Sequence, residues 1–233
     1  MLLGVNGLPL DILPEVAIRG RRSHRPRDGV RVRQFDCATS SRYGSHSIVD
    51  LVSALVQALP ELPRPHAIAV LDDVLHRGLL SKEDLAGVRL RLRGRRGSAM
   101  AASWWQLVDG RAESPLETFA RLRCVDAGVP PDELQVEIRS QDGRLLGRGD
   151  LGWRLRNGRW LIAEIDGREF HEAPEALLRD RVRQNALITS GRVEVLRFTS
   201  DDARSRTVIP MTVRAALTRD SAAQGPSTMS LNG

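Results

Sequence analysis

The strongest constraint on the fold of this chain is a run of three strand signals separated by turn signals. The segments with strand-like apolar patterning are residues 134–140, 144–155 and 159–166. The connections between them are Gln141-Asp142-Gly143 and Arg156-Asn157-Gly158. Asp-Gly and Asn-Gly pairs supply the positive φ angles that tight hairpins need. The sequence therefore predicts an antiparallel meander across this region.

Acidic side chains fall close together on the second hairpin of this meander. Its turn brings Asp150 towards Glu164, and alternation along the strand points Glu164 and Asp166 to the same face. Carboxylates on one face repel each other, so the arrangement is stable mainly when an arginine or a divalent cation neutralises them. Taken singly, Asp150 is typical of solvated surface, and Asp166-Gly167 is typical of a turn. Their combination indicates a metal site of the kind found in nucleases.

The segments around the meander predict the element order α-β-β-β-α-β-α. An amphipathic helix precedes it, in a unit that starts at Ala112-Glu113-Ser114-Pro115-Leu116-Glu117, and Gly128 and Pro130 end this helix. A second helix is predicted over residues 174–189 and a fourth strand over residues 193–198. Another helix is expected after a cap at Ser200-Asp201.

Residues 1–110 predict a small, mainly helical domain. It opens with two strand-like runs, at 16–18 and 30–34, on either side of the arginine-rich stretch 19–27. A charged loop is the favoured interpretation of that stretch, and a DNA-contacting wing is the alternative. Four helices are expected to follow: one capped by Ser47, one over residues 65–77, one begun by a Ser81/Asp84 capping box, and one containing Trp104 and Trp105.

The charge balance indicates a polyanionic partner. The net charge is +6 and the sequence pI is about 10.6. Only Lys82 among the 35 basic residues is a lysine. Arginine suits bidentate phosphate contact, but GC-rich coding explains the bias equally well. Arg95 and Arg96 lie in a basic run that fits a helix C-terminus slightly better than a phosphate-binding site.

The remaining composition restricts the class of protein. No apolar run is long enough to span a bilayer and no secretory signal follows Met1, so we expect a cytoplasmic protein without a membrane partner. Cys37 and Cys124 are far apart and belong to no metal-ligand spacing. Both are predicted to be reduced structural thiols, and zinc is not expected.

Several motifs together resemble a known family. They are the element order, Glu113, Asp150, Glu164-Ile165-Asp166-Gly167, His171, Arg179-Asp180-Arg181, Asn185-Ala186-Leu187 and Val195-Leu196-Arg197-Phe198. Residues 111–205 thereby resemble the Vsr-like proteins of unknown function in the PD-(D/E)XK, or restriction-endonuclease-like, nuclease superfamily. Residues 1–110 resemble a region joined to abortive-infection-type antitoxin modules, and residues 206–233 are expected to form a C-terminal helix and a flexible tail.

This resemblance implies an α/β fold with an αβββαβ core around a mixed four-stranded sheet, and a metal-dependent DNA endonuclease or nickase. The superfamily's catalytic lysine would fall two residues after Glu164, where this chain has Asp166. The Vsr branch also lacks that lysine and uses histidine near the metal. His171, the only histidine in the C-terminal half, is therefore the candidate to replace it.

Phosphodiester hydrolysis assigns roles to the acidic residues. A hard cation, Mg²⁺ or Mn²⁺, held by carboxylates can activate water and stabilise phosphoryl charge. Asp150 and Glu164 are the first-choice ligands, and Glu113, expected on the first helix, could hold a metal-bound water. Asp166 would complete the shell or orient a partner.

Three further residues complete the predicted site. His171 titrates near neutrality and could exchange a proton with water or the leaving group. Arg179 and Arg183, one helical turn apart, could clamp a DNA phosphate. Each of the three is also compatible with a plain surface role. A non-catalytic, DNA-binding regulator of the antitoxin type, with a degenerate nuclease fold, therefore stays open as the alternative.

Overall fold

A computed structural model describes residues 4–18, 29–34, 40–156, 158–167 and 189–223. The chain divides into two compact units, residues 1–110 and 111–233. The arginine-rich stretch 19–27, Cys37, the predicted helix over 174–188 and the predicted tail beyond residue 223 lie outside the described residues.

Short strands and helices form the first unit. Strand β1 (Glu15–Ile18) pairs in parallel with β2 (Arg31–Gln34), while β3 (Ser40–Tyr43) and β4 (His46–Val49) form an antiparallel hairpin. The prediction that a helix starts at Ser47 was wrong, because Ser47 and Ile48 pair with β3 instead. Helix α1 (Leu51–Ala58) begins one turn later, where the Asp50 side chain accepts a hydrogen bond from the Ser53 N–H.

Three more helices follow, two of them as predicted. Helix α2 (Arg64–His76) is largely buried, and α3 (Lys82–Leu92) starts with the expected Ser81/Asp84 capping box. The predicted fourth helix is reduced to one turn, α4 (Ser98–Ala101), followed by a 3₁₀ turn over Trp105–Leu107. The Trp104 side chain is buried, as a packing role requires.

A four-stranded mixed sheet organises the second unit. Helix α5 (Pro115–Asp126) precedes the strands β5 (Glu133–Arg139), β6 (Leu145–Arg154) and β7 (Trp160–Asp166), which pair as the predicted antiparallel meander. Strand β8 (Val193–Thr199) adds in parallel to β7. The mixed α/β class and the four-stranded sheet are therefore confirmed.

Helices close the core on one face of this sheet. Thr199 rather than Ser200 caps the short helix α6 (Ser200–Arg204) through a capping box with Asp202. Helix α7 (Val208–Ala223) buries Ile209 and Val213 in the same core as Ala120 of α5. None of the helices in the part of the chain that the structure describes has the length and apolarity needed to cross a bilayer.

Two glycines allow β6 to pack closely against its neighbours. A Cβ at Gly149 would lie 2.1 Å from Cγ2 of Ile162, and one at Gly152 would lie 2.5 Å from Cγ2 of Val136. Both distances are far below van der Waals contact, so a larger residue at either position would displace the sheet. These glycines flank Asp150 and Leu151, and so fix the part of β6 that carries the first candidate site residue.

Candidate acidic site of the second unit

Asp150 lies at the end of the paired segment of β6 and β7. The last backbone pair on that side is Leu151 with Ala163. Beyond it, Oδ2 of Asp150 accepts a hydrogen bond of 2.7 Å from the backbone N–H of Ile165. The predicted approach of Asp150 to the end of β7 is thus present, and a carboxylate lies where the two strands stop pairing.

Burial and neighbouring charge act on Asp150 in the same direction. The pKa of Asp150 is raised to about 7, chiefly by desolvation and in addition by the carboxylates of Glu117, Glu164 and Glu113, while the hydrogen bond from Ile165 opposes the rise. Close approach of like charges disfavours the ionised form, as it does in catalytic carboxylate pairs. Asp150 therefore titrates near neutrality, a property that is concentrated at functional sites but also occurs in structural clusters.

Glu117 is a member of this cluster that the sequence analysis missed. It lies in the first turn of α5, and only 6% of the residue is exposed. Burial raises its pKa, while hydrogen bonds from the Glu113 N–H and from Ser114 oppose the shift. Ser114 and Glu117 have the spacing of a capping box, which by itself predicts a helix start rather than a buried carboxylate.

Gln135 connects β5 to the same cluster. Its side-chain Nε2 donates a hydrogen bond of 2.8 Å to Oε2 of Glu117. Its backbone has φ = 55°, and within the described residues it is the single non-glycine residue with positive φ. No sequence pattern indicates this conformation, because glutamine has no preference for left-handed backbone.

Arginines neutralise the two more exposed carboxylates. Nη2 of Arg148 lies 2.6 Å from Oε1 of Glu113, and Nη2 of Arg197 lies 3.0 Å from Oε2 of Glu164. Arg197 is the residue of β8 that pairs in register with Glu164. In contrast, no ion pair involves Asp150 or Glu117 within the described part of the chain.

The carboxylates around Asp150 are the kind of ligand that a hard divalent cation prefers. They are not arranged as a complete coordination site. Carboxylate oxygens are the ligands that Mg²⁺ and Mn²⁺ prefer, and a cation would favour the ionised form of Asp150. Residues 4–18, 29–34, 40–156, 158–167 and 189–223 contain no group of three or more His, Cys, Asp or Glu side chains arranged to hold a metal ion. Glu113 and Glu164 would have to exchange their arginine partners for the cation.

Of the remaining predicted residues, Asp166 and Glu113 are described and three others are not. Asp166 pairs with Thr199 at the end of β7, and its exposed side chain forms no hydrogen bond or ion pair with the described residues. Glu113 precedes α5, whose cap is Ser114, so its expected place on the helix was wrong. Proline at position 115 starts the helix after it. The positions His171, Arg179 and Arg183 lie outside the described residues.

Arg95 and Arg96 belong to the first unit and follow a helix without being part of it. Helix α3 ends at Leu92, inside the basic run 90–96, so Arg91 lies in its last turn while Arg95 and Arg96 follow it. They line a surface cavity of about 430 Å³ together with Gln57, Pro60, Glu61 and Gly97. Glu61 is already paired with Arg31 and Arg33. Both arginines are exposed, as contact with a large anionic partner would require.

The free cysteine in the described residues is structural. Cys124 is buried in the core beside Ala120, and burial raises the pKa of its thiol to about 12. A thiol with so high a pKa carries almost no thiolate near neutral pH and is a poor nucleophile. Its predicted role as a reduced core residue is confirmed.

Comparison with known proteins yields relatives without an assigned activity. Over 159 residues the chain is 33% identical to two uncharacterized proteins of Mycobacterium tuberculosis, MT2308 of strain CDC 1551 / Oshkosh and Rv2248 of strain ATCC 25618 / H37Rv. The alignment covers 68% of this chain but only 57% of each relative, so the chain spans little more than half their length. No protein-family model matches the sequence. No solved structure matches it either. The resemblance to Vsr-like nucleases therefore stays a prediction.

Proposed function

We propose that residues 111–205 form a restriction-endonuclease-like domain that hydrolyses phosphodiester bonds in DNA with the help of Mg²⁺ or Mn²⁺. The observation that carries the proposal is the carboxylate cluster around Asp150, whose pKa is raised to about 7 at the point where β6 and β7 separate. Buried carboxylates with perturbed pKa values are rare unless they are paired or used.

The order of elements supports the fold part of the proposal. Helix α5, the meander β5-β6-β7 and the parallel strand β8 follow the order α-β-β-β…β expected of the superfamily. The helix expected between β7 and β8 falls on residues outside the described part. The acidic residues come from the start of the helix and from two adjacent strands, so three separate elements converge on one site.

The chain's own residues would act together at such a site. Asp150, Glu164 and Glu113 would hold the cation, which supplies an activated water and neutralises charge on the phosphoryl oxygens. Arg148 and Arg197, with the cation in their place at these carboxylates, would contact phosphate. Asp166, exposed at the end of β7, would orient the water or the DNA, and His171 would transfer a proton.

DNA is the substrate class that the charge favours. The net charge is +6, all but one of the 35 basic residues are arginines, and Arg95 and Arg96 are exposed in the first unit. Arg179 and Arg183 would add phosphate contacts near the acidic site. Positive charge of this kind attracts nucleic acid without selecting a sequence.

A plasmid nicking assay tests the proposal. Supercoiled plasmid incubated with the protein and Mg²⁺ or Mn²⁺ should be converted to the nicked form, and Asp150→Ala should slow the conversion by about a hundredfold or more. Asp142→Ala is the matched control, because Asp142 is an exposed carboxylate in the β5–β6 turn and should be dispensable. Equal rates for wild type and Asp150→Ala would contradict the assignment.

The ion pairs of Glu113 and Glu164 favour a second candidate function. In a degenerate nuclease fold, Arg148 and Arg197 would permanently replace the cation, and the chain would act as a DNA-binding regulator of the antitoxin type. This alternative expects salt-sensitive DNA binding with no cleavage and no thermal response to metal. Wild-type protein that binds DNA and never nicks it would decide for the regulator.

A further inference from the structure

Gln135 adopts a backbone conformation that its residue type does not favour. It lies inside β5, and its φ of 55° is in the left-handed region. Side chains with a Cβ adopt this region at an energetic cost, whereas glycine does not. Within the described residues every other position with positive φ is a glycine. The presence of glutamine rather than glycine at position 135 therefore indicates a role for its side chain.

The left-handed residue changes the direction of its neighbours. Leu134 and Val136, two positions apart on one strand, would normally lie on the same face. Here Leu134 packs in the core with Leu151, whereas Val136 packs in a separate cluster with Ile162. The reversal occurs at Gln135, and the pairs on either side of it, Leu134 with Leu151 and Val136 with Gly149, put Gln135 opposite Asp150.

Among the described residues, the Gln135 side chain forms one hydrogen bond, and its acceptor is Glu117. Oε2 of Glu117 accepts this bond at 2.8 Å and a second one, at 2.9 Å, from the Glu113 N–H. Because Glu117 is only 6% exposed, its carboxylate is oriented mainly by hydrogen-bond donors of the protein such as these. The amide of Gln135 therefore acts together with the Glu113 N–H and the Ser114 side chain to orient the Glu117 carboxylate.

We infer that Gln135 is a positioning residue of the acidic site, whose strained backbone is retained because it brings a side-chain amide onto Glu117. The inference rests on the proposed function, because a fixed Glu117 matters for catalysis only if the acidic site is catalytic. The hydrogen bond between Gln135 and Glu117 can be tested without an activity assay. Backbone strain at functional sites persists where the surrounding structure holds it, and the sheet register on both sides of Gln135 does so here.

A double-mutant cycle separates the strain from the hydrogen bond. Gln135→Gly is measured in wild type and in Glu117→Ala by thermal unfolding. In Glu117→Ala the amide has no acceptor left, so glycine should only relieve strain and raise Tm by about 2 to 4 °C. In wild type the lost hydrogen bond should cancel or reverse that gain. The same rise in both backgrounds would overturn the inference.

Two additional variants keep this cycle interpretable. Glu137→Gly, at an exposed position of the same strand, should lower Tm equally in both backgrounds, because glycine weakens an ordinary strand residue. If Glu117→Ala does not fold, Glu117→Gln provides a second background. It keeps the size of the side chain but weakens the hydrogen bond by removing its charge, so a smaller difference of the same sign is expected.

Nicking kinetics provide a readout that a purely structural role would not change. Gln135→Gly should lower kcat by about tenfold or more and leave the KM for DNA unchanged, because a misplaced carboxylate affects the chemical step rather than DNA binding. A variant that nicks at the wild-type rate would overturn the inference. Wild-type protein that does not cut counts against the proposed function alone, and the thermal cycle then decides the role of Gln135 by itself.

Discussion

The carboxylate of Asp150 accepts a hydrogen bond from the backbone N–H of Ile165, at the point where β6 and β7 cease to pair. This contact ties a titratable side chain to the end of β7, one residue after Glu164. Burial of a carboxylate is unfavourable, and this hydrogen bond offsets part of that cost for Asp150. The stability of the second unit should therefore depend on the protonation of one residue.

The first prediction concerns pH. The pKa of Asp150 is raised to about 7, so the folded protein binds this proton more tightly than the unfolded chain does. Stability should then fall as pH rises from the ordinary aspartate pKa, about 4, to about 7, by at most about 4 kcal/mol, and should not fall further above that. Glu117, whose pKa is also raised, acts in the same direction.

Asp150→Asn measures this contribution directly. Asparagine imitates the neutral carboxyl, so the variant should melt at a higher temperature than wild type at pH 8 and at a similar temperature at pH 5. Thermal unfolding at pH 5, 6, 7 and 8 provides the comparison, with Asp142→Asn as a control at an exposed carboxylate. A difference between wild type and Asp150→Asn that does not change with pH would contradict the burial of an ionisable group.

The sequence predicts those features of the second unit that depend on neighbouring residues, and it fails where distant segments pair. Gly143 and Gly158 have the positive φ that their turns demand, so the meander followed from the sequence. The hairpin register then brought Asp150 near Glu164. The helix expected at Ser47 failed for a non-local reason, since β3 offers Ile48 a strand partner that helical spacing does not reveal.

The parts of the site that the sequence could not reveal depend on contacts between distant elements. Glu117 looks like an ordinary first-turn glutamate until α5 packs on the sheet and buries it. The left-handed backbone of Gln135 is imposed by the sheet on both sides and by Glu117, 18 positions away. The arginine partners of Glu113 and Glu164 come from separate strands, β6 and β8. None of these has a fixed spacing in sequence.

The second prediction concerns metal binding. Since a cation relieves repulsion among the carboxylates and binds the folded state alone, millimolar Mg²⁺ or Mn²⁺ should raise Tm. A tenfold excess over the dissociation constant corresponds to about 1.4 kcal/mol. Asp150→Asn should reduce the shift, and Asp142→Asn should not. Identical melting temperatures with and without metal would count against the site and for the regulator.

The third prediction concerns the arginines of the first unit. If Arg95 and Arg96 each contact a phosphate, DNA binding should weaken steeply with salt. Replacing both with alanine should then lower the slope of log K against log salt by about 2. The matched control is Arg204→Ala with Arg206→Ala, which removes two exposed charges from the second unit. Fluorescence anisotropy over a salt series measures both slopes. Equal slopes for the Arg95/Arg96 variant and wild type would show that these arginines do not contact phosphate.

The last prediction separates an enzyme from a degenerate nuclease fold. Asp166 occupies the position where the resembled superfamily has its lysine, so that the ammonium group of the superfamily is missing here, and the Asp166 side chain is exposed. Proton transfer must then rely on another group, and His171 is the candidate. His171→Ala should slow nicking by about a hundredfold or more, as expected for a lost general acid or base, while the metal-induced rise in Tm persists. His46→Ala, at an exposed histidine of the first unit, is the control and should cut normally. If His171→Ala cuts as fast as wild type, His171 is structural and the proton must pass through the Asp150 cluster itself.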